Sequence, residues 1–126
     1  MTPLVKDLLD FSARVVVITG ASRGLGAALA SRFSQAGAKV VINYRQNRAP
    51  AKVLVASIEE RGGSAIAVAA DLTERVQVEH LCATTVSEFG HIDTWVNNAG
   101  VYPVDSLLEI DDESWRDVID CNLYGV

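Results

Sequence analysis

Residues 14–33, R-V-V-V-I-T-G-A-S-R-G-L-G-A-A-L-A-S-R-F, decide how the rest of the chain is read. Val15–Ile18 is an unbroken β-branched run, the pattern of a strand buried on both faces of a parallel sheet. Gly20, Gly24 and Gly26 follow at once, and Leu25, Ala28, Leu29 and Phe33 then recur at helical spacing. The glycines therefore fall at a strand-to-helix turn, where backbone without Cβ atoms turns tightly and lets a ligand approach. Free N–H groups and the positive end of the helix dipole favour a diphosphate there. The glycine order, G-x-x-x-G-x-G after Thr19, differs from the common G-x-G-x-x-G fingerprint.

Outward from this stretch, strands and helices alternate. A second strand is predicted over residues 39–43, and a second helix opens at Pro50 with a stripe of Ala51, Leu54, Val55 and Ile58. A third strand covers residues 65–70. A third helix follows over 74–89, with Thr73 as N-cap and Val78, Leu81, Cys82, Thr85 and Phe89 on one side. The fourth strand is residues 94–97. After a loop, Asp111 or Asp112 caps a fourth helix carrying Trp115, Val118, Ile119 and Asn122. This is an α/β pattern: a Rossmann-type doubly wound parallel sheet of order 3-2-1-4, stopping after the fourth strand and part of the next helix. Residues 1–13 form a lead in which Leu4, Leu8 and Leu9 can pack. Residues 14–126 carry the alternating strands and helices, and the resemblance given below implies that they are the N-terminal, cofactor-binding half of a Rossmann domain.

The chain has 126 residues, 49% hydrophobic and 21% charged, which suits one globular domain rather than a disordered segment. Its net charge of −5 is uneven, and the second half is strongly acidic, which argues against a nucleic-acid surface there. No apolar run has the length of a membrane span, and the N-terminus lacks a cleavage pattern. Cys82 and Cys121 fit no metal site and read as buried free thiols in a reducing cytosol. His80 and His91 read as solvated surface residues.

T-G-A-S-R-G-L-G at 19–26, D-L at 71–72, N-N-A-G at 97–100 and C-N-L-Y-G-V at 121–126 resemble successive landmarks of the short-chain dehydrogenase/reductase superfamily. The likeness runs from about residue 14 to the end. Its nearest tone is that of 3-oxoacyl-acyl-carrier-protein reductases and related sugar or polyol dehydrogenases. It implies an oxidoreductase acting on a small-molecule carbonyl or alcohol, cytoplasmic and homo-oligomeric in its full-length form. It also implies that Gly20, Ser22, Arg23, Gly24, Leu25 and Gly26 hold the cofactor. Asp71 and Leu72 would meet the adenine; the residues alone also allow Asp71 as a cap of the third helix, a need that Thr73 could serve equally well. Asn98, Ala99 and Gly100 would line the cofactor, with Asn97 and Asn98 also structural. Asn122 matches the helix Asn of the family's Asn–Ser–Tyr–Lys tetrad, where it holds a local helix distortion.

The cofactor reading favours NADP(H) over NAD(H). An NAD-preferring site ends its second strand with a carboxylate for the ribose hydroxyls. Here that position is Tyr44, Arg45 follows, and no acid stands between Lys39 and Ile58. Arg45 and Arg23 can converge on a 2′-phosphate. No Tyr-x-x-x-Lys occurs in the sequence: Tyr44 leads to Arg48 and Tyr102 to Ser106. The 126 residues are therefore expected to be inactive alone, as the N-terminal half of a longer enzyme. The alternative is a non-catalytic nucleotide-binding or interaction module.

Overall fold

The β-branched runs become the centre of the molecule. In the computed structural model, residues 8–126 except Asp105 and Leu107 are described. Strand β1, Val15–Ile18, pairs in parallel with β2, Lys39–Tyr44, and on its other side with β4, Thr94–Val96. Strand β3, Ser64–Ala69, pairs with the outer side of β2, giving the order β3-β2-β1-β4. This is the expected 3-2-1-4 order. Between the strands run α1, Gly24–Gln35, then α2, Arg48–Glu60, and α3, Arg75–Phe89.

The alternation of side chains along a strand splits the core in two. Val16 and Ile18 join Val40, Ile42 and Tyr44 under Ala30, Ala51 and Ile58 of α1 and α2. Val15 and Val17 join Val41 and Val68 under Leu81 of α3. All four β1 side chains are fully buried. Each buried Val or Ile of this strand contributes about 1.5–3 kcal/mol of hydrophobic stabilisation.

Several boundaries and faces differ from the sequence reading. Helix α2 starts before Pro50, because the Asn47 side chain accepts a hydrogen bond from the Ala49 N–H and caps it. Pro50 falls in the first turn, where its missing N–H has no helical partner to lose. Thr73 does not cap α3. Its hydroxyl and N–H both donate to Asp71 Oδ1, and Glu74 takes the N-cap position. On α1 the buried face is Gly26 and Ala30 with Leu29 and Phe33 beside them, while Leu25 is 71% exposed and Ala28 faces solvent. Leu8 and Leu9 are also exposed, and Leu4 lies outside the described residues. Phe11 is the lead residue that packs, edge-on to Phe33 with ring centroids 5.0 Å apart.

After β4 the chain reaches α4, Asp112–Ile119, capped by Asp111, whose carboxylate accepts from the Ser114 N–H at 2.7 Å. It continues into a π-helical turn, Asp120–Tyr124. Among the described residues no helix is long and apolar enough to cross a membrane.

Candidate cofactor site

The glycine loop lies at the C-terminal ends of β1 and β4, in the crevice where the strand order reverses, the place where open α/β sheets bind ligands. Its shape depends on three buried or half-buried polar side chains. The Thr19 hydroxyl accepts from the N–H groups of Asn98 and Ala99, both at 3.0 Å, and donates to the Val96 carbonyl. The Asn98 amide donates to the Thr19 and Gly20 carbonyls at 2.9 and 3.2 Å. From the other side, Asn43 Oδ1 accepts from the Gly20 N–H at 3.2 Å. The structure thus brings the loop at 19–26 and the segment at 98–100 together.

Glycine at positions 20 and 26 has a geometric cause. A Cβ on Gly26 would stand 2.5 Å from Asn98 Nδ2 and 2.8 Å from the Gly20 carbonyl oxygen. A Cβ on Gly20, already at φ +59°, would stand 2.8 Å from the Ala99 Cα. Arg23 occupies the N-cap of α1 without a side-chain hydrogen bond to the helix among the described residues. The first-turn N–H groups of α1 are left for a ligand, with the helix dipole behind them. Ser22 is half-buried in the same turn, and Arg23, Gly24 and Leu25 are exposed at its rim.

At the ends of β2 and β3 the picture changes. The Tyr44 ring, expected at the cofactor, is only 7% exposed and belongs to the core beside Ile42. Even numbering along β2 turns Tyr44 toward α1 and α2, so Arg45 becomes the first side chain to emerge. Arg45 Nε stands 3.9 Å from Asp71 Oδ2, and both residues are partly solvated. Asp71 Oδ1 is held by Thr73. Burial tends to raise the Asp71 carboxyl pKa, but the Thr73 hydrogen bonds and Arg45 together hold it below the ordinary value. Asp71 therefore presents a charged carboxylate beside a guanidinium. Leu72 is half-buried at the edge of the core cluster on the α3 side of the sheet.

Asn122 lies in the π-helical turn and locks onto Val101 by two hydrogen bonds. Its Oδ1 accepts from the Val101 N–H at 2.8 Å, and its Nδ2 donates to the Val101 carbonyl at 2.7 Å. The helix distortion implied at this position is present. Gly100 fits beneath that amide, since a Cβ there would meet Asn122 Oδ1 at 3.1 Å. Asn97 is turned away and accepts from the Trp95 indole N–H. Cys121 is half-buried, not fully buried as expected, and burial pushes its thiol pKa up, with Arg45 opposing and Asp71 and Asp117 adding. His91 is not merely solvated: its Nε2 lies 2.9 Å from Asp93 Oδ2. His80 stands 3.4 Å from the Thr84 hydroxyl. Among the described residues no group of His, Cys, Asp or Glu could hold a metal ion.

Thr19 and Asn43 help shape the loop with Asn98; Thr19 stands in the sequence motif without an assigned role, and Asn43 was not singled out. Their signal is slight: each is a polar residue closing an apolar β run.

The profile described as short chain dehydrogenase matches residues 14–126. The 3-oxoacyl-[acyl-carrier-protein] reductase of Synechocystis sp. is 45% identical over 115 residues, covering 91% of this chain and 47% of that protein. The 3beta-hydroxysteroid dehydrogenase 1 of Eggerthella lenta is 44% identical over 117 residues, covering 93% of this chain and 45% of its own length. Among solved structures, a short-chain type dehydrogenase/reductase from Mycobacterium marinum superposes with a TM-score of 0.92 at 33% identity, over 98% of this chain and 49% of that one. A short chain dehydrogenase from Burkholderia cenocepacia in complex with NADP superposes with a TM-score of 0.86 at 34% identity, over 91% of this chain and 47% of that one. The chain thus spans about half the length of the relatives it matches.

Proposed function

This chain belongs to the short-chain dehydrogenase family, and from that premise we propose that it supplies the NADP(H)-binding part of an oxidoreductase that interconverts a carbonyl and an alcohol. One observation carries the reading: the glycine-rich loop at 20–26 is clamped against Asn98 and Ala99 at the switch point of the sheet. The fit to a dinucleotide rests on shape: a Cβ at Gly26 would collide with Asn98 Nδ2 and the Gly20 carbonyl, so glycine there lets the loop close tightly on the segment at 98–100.

When bound, the cofactor supplies or accepts the hydride. The chain's own residues bind and orient it. The first-turn N–H groups of α1, with Gly24, Leu25 and Gly26, would hold the diphosphate. Asp71 and Leu72 would flank the adenine. Ala99 and Gly100 would let the backbone run beside the ribose. Arg45, and Arg23 from the loop, would meet a 2′-phosphate, since β2 ends without a carboxylate. Asn122 holds the loop after Gly100 in register with the π-helical turn. The NADP complex of the Burkholderia cenocepacia relative supports the cofactor class. Cytoplasmic residence and homo-oligomers of a full-length form belong to the same reading.

The test is a fluorescence titration of the protein with NADPH and NADH. Tighter NADPH binding is expected, and tighter NADH binding would overturn the NADP(H) assignment.

A further inference from the structure

Asn43 is 2% exposed, the most deeply buried amide among the described residues. Every part of its side chain is engaged. Oδ1 accepts from the Gly20 N–H at 3.2 Å. Nδ2 points toward three carbonyl oxygens, those of Ala70 at 3.1 Å and of Val68 and Tyr44 at 3.4 Å. The Asn43 backbone carbonyl also accepts from the Ala21 N–H at 2.8 Å. One residue thus takes two consecutive N–H groups of the glycine loop and ties them to the ends of β2 and β3.

These partners explain why an amide stands there. Odd positions of β2 face the α3 side of the sheet, where Val41 packs in an apolar cluster. A third valine would continue the strand and bury more apolar area. It would leave the Gly20 N–H without a partner inside the protein, and an unpaired buried donor is costly. A carboxylate would satisfy that N–H but would face three carbonyl oxygens. Only a side chain with an acceptor at one end and a donor at the other fits both sides, which is what an amide offers. Asn98 holds the Thr19 and Gly20 carbonyls from the β4 side. The turn at Gly20 is therefore pinned from both flanking strands, with its N–H groups drawn to β2 and its carbonyls to β4.

We infer that Asn43 is a positioning residue for the cofactor: it fixes the left-handed turn at Gly20 so that the following loop and the start of α1 meet the diphosphate preformed. The functional part of this inference rests on the NADP(H) reading above. Its structural part does not. If the turn is ordered in only a fraction of molecules, apparent affinity falls by that fraction.

The experiment uses N43A and N43D with the unaltered protein. Amide hydrogen exchange reads the loop without any cofactor. In N43A the Gly20 amide is expected to exchange about tenfold faster or more, the loss typical of one buried hydrogen bond, while Val16 and Val17 in β1 change by less than about twofold. NADPH affinity is expected to fall about ten- to a hundredfold in the same variant. N43D supplies a signature that a space-filling role would not show. Its carboxyl, facing three carbonyls, has a raised pKa. As a neutral acid it donates to a carbonyl and accepts from Gly20, and as a carboxylate it cannot donate. N43D should therefore gain melting temperature relative to N43A as pH falls and lose it as pH rises. Unchanged Gly20 exchange in N43A, or a pH-independent difference between the two variants, overturns the structural assignment. Faster exchange with unchanged NADPH affinity overturns the positioning role. Absence of NADPH binding by the unaltered protein overturns the cofactor reading, and the exchange and pH arms then still decide whether Asn43 sets the turn.

Discussion

Arg45 and Gly26 show how single positions carry the cofactor reading. Arg45 emerges where Tyr44 turns inward, and its only ion-pair partner among the described residues is Asp71 at 3.9 Å, a loose pair between solvated groups. Such a pair contributes little by itself, so the guanidinium can turn to a phosphate at small cost. Arg45→Asp removes a charge-assisted bond and adds repulsion. NADPH affinity should fall roughly ten- to a hundredfold with NADH unchanged or tighter, read by paired titrations. An equal loss for both cofactors would place Arg45 away from the 2′-phosphate. Gly26 is required by approach and not by φ. In an ordinary helix Gly→Ala gains up to about 1 kcal/mol, but here the new Cβ lands on Asn98 Nδ2 at 2.5 Å. Gly26→Ala should therefore destabilise by about 1–3 kcal/mol in urea unfolding and weaken NADPH binding. A more stable variant would show that Asn98 yields freely. The glycine pattern made this loop legible in the sequence. Thr19 and Asn43 were not legible, because their partners lie 23 to 80 residues away and nothing local marks a polar strand end as a clamp.

The elements were legible where the chain states its own boundaries, as in the apolar β runs, the Asp111 cap and α1, which contains the residues at helical spacing after the glycines. Two features were decided by competing local chemistry. Thr73 had two possible partners, the α3 backbone and Asp71, and Asp71 prevailed through two short hydrogen bonds. Leu25 matched the helical stripe but falls at the loop rim before the helix meets the sheet. The start of β1 depends on Asp93, just before β4, whose Oδ2 accepts from the Val15 N–H at 2.7 Å and lies beside His91. The Val15 N–H lowers the Asp93 pKa most; burial opposes it, and His91 and Arg14 add to the lowering. A lowered carboxyl pKa stabilises the fold above the ordinary value of 3.8, and this contribution is lost as pH falls through the lower folded value. Asp93→Asn should melt below the parent at neutral pH, and the two melting curves should converge below about pH 4. A constant difference down to pH 2 would separate Asp93 from acid unfolding. Strand β4 is paired on one side only among the described residues, and Trp115, Leu123 and Tyr124 are exposed nearby in sequence on the last helical segment. An open edge next to apolar surface favours association. Sedimentation should show the mean mass of the 126-residue chain rising with concentration, and a monodisperse monomer with a cooperative melt would count against it.

At the scale of the molecule, holding a cofactor and turning it over are separate tasks. The described fold brings together a glycine loop, Asp71 with Arg45, and Ala99 with Gly100, all groups that hold the adenosine and diphosphate side of a dinucleotide in the proposed reading. Reduction of a carbonyl also needs a proton donor at the developing alkoxide. The resemblance assigns that work to a Ser and a Tyr-x-x-x-Lys, and the 126 residues contain no Tyr-x-x-x-Lys. Asn122 cannot take over the role. An amide does not titrate near neutral pH, and both of its polar atoms are committed to Val101. Loss of general acid catalysis costs about 10²–10⁴ in rate, and loss of the hydrogen bonds to the alkoxide about 10²–10³ more. The two need not multiply, because such groups act as a unit, but the smaller factor alone would cut turnover about a hundredfold. The chain should bind NADPH and yet leave it unoxidised with β-ketoacyl thioesters, quinones and sugar ketones. The comparison is the same residues fused to the second half of a relative such as the Synechocystis reductase, of which they match 47%. Activity confined to the fusion would place the chemistry in the added half. Equal NADPH oxidation by the 126-residue chain would mean that a proton donor lies among the residues assigned here to binding, and Tyr44, Tyr102 and Tyr124 would then be the side chains to replace first.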